Sequence, residues 1–182
     1  MSMQTWQELI GSNVGVGPTV TALTITSLLP TGALIPVPVP LRVGQKFRSS
    51  ARGVMNTTVT TPGTITFTIN FGAVAVFVSQ ALALNIVAKA GVVWFLDLTH
   101  EVMSIGSGTA ATIKTTGTFE SEAVVGSPLP SAGGIGKLSI PAASPVAGTG
   151  FNSTVANLAD LLVTQTVNNS MILHNWLIEA LN

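Results

Sequence analysis

The chain contains no cysteine and no tyrosine. The first absence excludes disulfides, thiolate chemistry and cysteine-ligated zinc, and it fits a protein made and assembled in a reducing cytoplasm. The second, with only three tryptophans present, leaves few aromatic side chains for a sugar-stacking platform. Charge is scarce as well: acidic and basic residues together make up 8% of the 182 residues, seven against seven, for a formal net charge of zero. That balance removes the usual drive toward nucleic acid or an anionic membrane. Also missing is a run of about 20 apolar residues, the length a membrane-spanning helix needs. The richest stretch, Phe71 to Phe95, is broken by Gly72, Ser79, Gln80, Asn85, Lys89 and Gly91. Met1 to Trp6 has no basic segment leading into an apolar core, so no secretory signal is expected there.

What is present is apolar: 47% of the residues are hydrophobic. With so little charge to cover it, that surface is expected to be buried within the fold and between subunits, and a near-neutral chain self-associates readily. The length fits one domain with a sizeable core.

Thr, Val, Ala and Gly dominate, and Gly or Pro clusters punctuate short alternating runs, the pattern of an all-β antiparallel sandwich or barrel. Residues 1–18 read as an extended N-terminal arm and 19–182 as a single β-sandwich domain. Within the arm Trp6, Leu9 and Ile10 have helical spacing, but Gly11, Gly15, Gly17 and Pro18 limit any helix to one turn. Val37-Pro38-Val39-Pro40 reads as an extended connector or edge.

Three hairpins can be argued by register, because a tight turn fixes which residues face each other and one face must come out apolar. In the first, a turn at Phe71-Gly72 sets Ile69 opposite Val74, Phe67 opposite Val76 and Ile65 opposite Val78; a turn at Gly72-Ala73 keeps the same face. In the second, a turn at Ser107-Gly108 pairs Val102 with Ile113, Leu96 with Phe119 and, on the other face, Glu101 with Lys114. In the third, a turn at Asn169-Ser170 joins Ala159–Val167 to Met171–Leu181, pairing Val163 with Trp176 and Leu161 with Ile178. Further strands are expected near Thr19–Ser27 and Gln45–Met55. The Gly, Pro, Ser and Ala-rich segment from Gly126 to Gly150 reads as a functional loop or intersubunit strap, or as a mobile surface loop holding a short strand at Lys137–Ile140. The structural core is expected to include Phe67, Trp94, Leu96, Phe119 and Trp176.

No catalytic, cofactor-binding or metal-binding set emerges. His100-Glu101 begins like a zinc-protease motif, but that motif needs a helix and a second histidine where Ser104 stands. On a strand, Asp97 and Glu101 share one face while His100 takes the other, with Trp94, Leu96, Leu98 and Val102, which makes it a partly buried structural histidine. His174 follows the face of Ile172, Trp176 and Ile178 and reads as a hydrogen-bonded core or interface residue. Glu120 and Glu122 read as a solvated edge that discourages strand pairing. Gly15-Val16-Gly17 lacks the third glycine of a dinucleotide fingerprint. Trp6 is the tryptophan left free for docking.

Several segments together resemble a group of small β-rich structural proteins of tailed bacteriophages. They are Leu41-Arg42-Val43-Gly44-Gln45, Thr61-Pro62-Gly63, Trp94-Phe95-Leu96-Asp97 and Ser104-Ile105-Gly106-Ser107-Gly108-Thr109, and then Asn168-Asn169-Ser170-Met171-Ile172 leading into His174-Asn175-Trp176-Leu177-Ile178-Glu179-Ala180-Leu181-Asn182. The resemblance implies a jelly-roll-like sandwich and a virion structural protein without enzymatic activity, carried as head decoration or cement or as a minor tail component. It further implies a homotrimer on the capsid surface, made in the host cytoplasm, whose partners are itself and the major capsid protein lattice, with no nucleic acid, membrane or cofactor. Trp6, Leu9 and Ile10 are the apolar anchors expected to dock on the capsid. The rival expectation is a tail- or fibre-associated adhesin that reads a host surface through loops at one end of the sandwich.

Overall fold

The computed structural model describes residues 7–13, 15–30, 33–37, 40–127 and 134–181. Among them the chain is all-β and forms two antiparallel sheets packed face to face. The strands are β1 (Gln7–Ser12), β2 (Thr26–Ser27), β3 (Ile35–Pro36), β4 (Lys46–Thr57), β5 (Thr64–Phe71), β6 (Val74–Val78), β7 (Leu82–Ala83), β8 (Lys89–Ser104), β9 (Thr112–Ser121), β10 (Gly136–Ile140), β11 (Leu158–Gln165) and β12 (Ser170–Leu181). The first sheet has the order β1-β12-β4-β8-β9-β10 and the second β2-β11-β5-β6, with β3 on β11 and β7 on β5.

Alternation builds the core. From Lys46 to Thr57, β4 turns Phe47, Ser49, Ala51, Gly53, Met55 and Thr57 inward. β8 does the same with Trp94, Leu96, Leu98, His100 and Val102. The second sheet answers with Ile65, Phe67, Ile69 and Phe71 from β5 and Ala159, Leu161 and Val163 from β11, all buried. Phe67 bridges the layers, its ring 5.8 Å from that of Trp94 and 5.3 Å from that of Phe119. Leu96 and Trp176 are buried in the same cluster. Each such side chain stabilises the fold by about 1.5–3 kcal/mol relative to exposure.

The β8–β9 hairpin takes the expected register, with Leu96 across from Phe119, Glu101 from Lys114 and Val102 from Ile113. The β5–β6 hairpin turns at Gly72-Ala73, where Gly72 adopts a φ of 58° that a side chain would resist. Its register then differs from expectation. A bulge at Val76 puts Phe77 opposite Ile69 and Val78 opposite Thr68, so the pairs Ile69–Val74, Phe67–Val76 and Ile65–Val78 do not form, and Val78 points to solvent.

The third hairpin does not exist. β11 and β12 follow each other in sequence but lie in different sheets: Leu161 and Val163 pair with Ile69 and Phe67, whereas Trp176 and Ile178 pair with Ala51 and Ser49. The short connection carries the chain across the sandwich. Because β4 and β5 make the same crossing, the β4–β12 pair and the β5–β11 pair form one antiparallel ribbon folded over the core.

The N-terminal arm is not free over the described residues, nor is it helical. β1 pairs with the end of β12, Leu9 opposite Glu179 and Gly11 opposite Ile178. The chain then continues along the same edge, with Asn13 and Gly17 donating their N–H groups to the carbonyls of Trp176 and Leu173 at 2.9 and 2.8 Å, and Val20 exchanging a pair of bonds with Met171. At the far edge, β10 covers the second half of β9 from Gly117 to Ser121. Residues 147–151 cover the first half through bridges from Ala147 to Lys114 and from Phe151 to Ala111. The expected strand at Lys137–Ile140 is therefore present, and part of the Gly126–Gly150 segment acts as an edge cover. Pro38 and Val39 lie outside the described residues.

Candidate functional site

His100 is buried on the inner face of the first sheet, 1% exposed. Its Nε2 lies 2.8 Å from Ser49 Oγ and its Nδ1 2.9 Å from Thr115 Oγ1, so both ring nitrogens are satisfied by hydroxyls. Phe47 stacks on it. Burial lowers its pKa to about 3, because the imidazolium would be stripped of water with no carboxylate beside it. This neutral, enclosed ring serves as a structural crosslink between β4, β8 and β9. It is fully rather than partly buried.

His174 sits elsewhere than expected. The register of β12 shifts between Leu173 and Asn175. Before this bulge Met171 and Leu173 face the core; after it Trp176, Ile178 and Ala180 do. His174 is the residue at the switch and is exposed, not in the core, and Ile172 lies on the outer face rather than with Trp176. Asn13 secures the irregularity from the neighbouring strand, its Oδ1 accepting the Trp176 backbone N–H.

Asp97, Glu101, Glu120 and Glu122 are engaged in ion pairs. Asp97 takes a two-pronged contact from Arg48, and Glu101 meets Lys114 at 2.9 Å, which holds the Glu101 carboxyl below the usual carboxylate range. Glu120 and Glu122 are not the unpaired edge expected. Glu120 meets Lys137 of β10 at 2.5 Å, and Glu122 meets the buried Lys89 at 3.0 Å. Among the described residues no group of three or more His, Asp or Glu side chains is gathered as a metal site. A groove of about 440 Å³ between β6 and residues 141–149 is lined mostly by apolar groups such as Val76, Phe77, Ile113 and Pro141, with no titratable side chain.

Of the anticipated docking anchors, Trp6 lies outside the described residues. Ile10 is partly buried and packs against the core. Leu9 stands outward on the first sheet, 58% exposed. A stronger apolar feature, missed by strand periodicity because it lies in turns, is at the opposite end of the sandwich. There Thr60 N–H donates to Ile86 O at 2.9 Å and Val125 N–H to Ala83 O at 3.2 Å, while Leu84 and Val124 form a bridge. These bonds tie the β4–β5, β7–β8 and β9–β10 connections into one tip that presents Val59, Ile86 and Val125 at 62%, 68% and 56% exposure. The signal available in the sequence was three β-branched residues, each beside turn-forming Thr, Asn or Gly. No family model, curated protein or solved structure matches the chain.

Proposed function

We propose that this protein is a virion structural component of a tailed bacteriophage, a decoration or cement protein that binds the head surface as a homotrimer and has no catalytic role. The resemblance of its strand sequences to that group supports the reading. The structural observation that carries it is the Val59–Ile86–Val125 tip: three apolar side chains held outward on hydrogen-bonded loops, on a chain with little charge to steer it elsewhere. Exposed apolar clusters of this kind mark contact sites, and an apolar anchor that enters a pocket carries a large share of binding energy. The tip is the surface we assign to the major capsid protein lattice. Stabilisation follows from mass action, since the subunit binds the assembled shell and not its dissociated parts.

The test is co-sedimentation of the purified protein with shells that lack it. The wild type is expected to pellet with the shells, and Ile86→Asp or Val59→Asp to remain in the supernatant with an unchanged thermal midpoint. Density at every lattice position in an electron-microscopic reconstruction supports the head reading. Density at the tail alone replaces it with the adhesin reading, and binding of both variants at wild-type level removes the tip from the contact.

A further inference from the structure

Of the seven basic residues, Arg48, Lys89, Lys114 and Lys137 are held in ion pairs with Asp97, Glu122, Glu101 and Glu120. Arg52, exposed on the outer face of β4, makes no ion pair among the described residues. Its surroundings are apolar. Phe95 stands across from it on β8, and two residues along β4 Val54 lies between Val93 of β8 and Ile172 of β12. Phe95 and Val93 remain 37% and 47% exposed. The carboxylates nearest in the ladder are already taken, Glu120 beside Phe95 by Lys137 and Asp97 two residues further along β8 by Arg48. A groove of about 300 Å³ opens here, with Arg52, Gly53, Val54, Val93, Phe95 and His174 in its lining.

The bulge of β12 brings His174 to this place. Leu173 pairs with Gly53 and Asn175 with Arg52, so His174 is the extra residue, level with the step from Gly53 to Arg52 and exposed. The irregularity is held from the neighbouring edge: Asn13 accepts the Trp176 N–H through its side chain and donates its own N–H to the Trp176 carbonyl at 2.9 Å. Bulges of this kind re-aim side chains at binding sites.

We propose that the groove receives an acidic side chain flanked by apolar residues, presented by the protein partner that covers the neighbouring tip. The planar fork of a guanidinium matches the two oxygens of a carboxylate, and the His174 imidazole offers a further N–H donor. Val54, Val93 and Phe95 take the hydrocarbon on either side of the acid. A nucleic acid needs a stripe of cations along its backbone, and this groove has one guanidinium over an apolar floor. The groove also adjoins the tip. Val54 lies three residues before Thr57 at the close of β4, about 10 Å of strand, and Val59 follows in the next connection. A contact of ordinary size covers about 800 Å² on each side, roughly 28 Å across, enough to span both. The identity of the partner as the shell protein rests on the reading above; the acid-binding chemistry does not.

Two measurements on the full chain test it. In nuclear magnetic resonance titrations the probe is acetyl-Leu-Asp-Leu-amide, with the Asn peptide in place of Asp as its comparison. The Asp peptide is expected to move the backbone resonances of Gly53 and Val93 and the ring resonances of His174, and to bind about tenfold more tightly than the Asn peptide; Arg52→Gln should remove that difference. In co-sedimentation with shells, Arg52→Gln is expected to bind about tenfold and Arg52→Glu about 100-fold more weakly than the wild type, with thermal midpoints unchanged. Arg42→Gln, an exposed cation before the other end of β4, is the control and should bind like the wild type. Equal responses to the Asp and Asn peptides, or Arg52 variants that pellet like the wild type, overturn the groove and leave the shell reading standing. A wild type that ignores shells yet distinguishes the two peptides does the reverse.

Discussion

His100 and Phe47 face each other across β8 and β4 with ring centroids 4.9 Å apart and planes 28° from parallel. The stacking, with the two hydroxyl contacts from Ser49 and Thr115, fixes a neutral imidazole in a largely apolar core. Unfolded, the same histidine would titrate near its ordinary 6.5; folded, it titrates at about 3. Between those values the unfolded chain binds a proton that the folded chain does not. Its contribution to stability is therefore complete above about pH 6.5 and falls by up to about 1.4 kcal/mol per pH unit as the pH drops toward 3. Urea unfolding at pH 7, 5 and 4 is expected to show a steeper acid loss for the wild type than for His100→Asn, because carboxylate titrations are common to both. Equal slopes would sink the assignment.

A second prediction concerns Gly53, which lies on the inner face of β4 beneath Trp94. A Cβ placed there would meet the Ile172 carbonyl oxygen at 1.9 Å and Trp94 Cε2 at 2.9 Å. The carbonyl belongs to the β-ladder and cannot rotate away. Gly53→Ala is expected to destabilise by about 1–3 kcal/mol despite the better strand propensity of alanine. Chemical denaturation checks it, and the near-ultraviolet signal of Trp94 should change with the packing.

A third concerns Lys89, whose ammonium is enclosed with Glu122 at 3.0 Å. Lys89→Ala removes the cation, leaves a hole and takes this partner from the partly exposed Glu122 carboxylate. A loss of about 3 kcal/mol is expected, measurable by urea unfolding at neutral pH. A change within error would mean that Glu122 finds full solvation without its partner.

Local patterns in the sequence revealed local pairings. The β8–β9 register was legible because three independent constraints agree on it: two apolar pairs on one face and the Glu101–Lys114 pair on the other. The apparent β11–β12 hairpin satisfied a similar apolar match, yet both strands also match β4 and β5, and alternation alone does not say which sheet a strand joins. His174 was misplaced for a different reason. One extra residue in β12 reverses which side chains face inward, and the contact beside it, from the Asn13 carboxamide more than 160 residues away in the chain, leaves no periodic trace. The apolar tip was hidden because Val59, Ile86 and Val125 come together only after three connections are folded onto one end of the sandwich.

The final prediction separates the two ends of the molecule. Leu9 and Ile10 are adjacent, but only Ile10 packs against the core, while Leu9 stands free on the outer face near the end where β1 meets the close of β12. Ile10→Ala should therefore cost about 1–3 kcal/mol of stability, whereas Leu9→Asp should change it by less than about 0.5 kcal/mol. Leu9 lies level with Arg48 through Glu179, and nine residues of β4 separate Arg48 from Thr57 at the tip end, so Leu9 and the Ile86 tip are separated by about 30 Å. A shell contact made through one end leaves the other facing outward. Comparing Leu9→Asp with Ile86→Asp in the same co-sedimentation assay thus reads orientation directly: loss of binding only in Ile86→Asp sets the loop tip on the shell, and loss only in Leu9→Asp reverses the molecule and returns docking to the N-terminal strand.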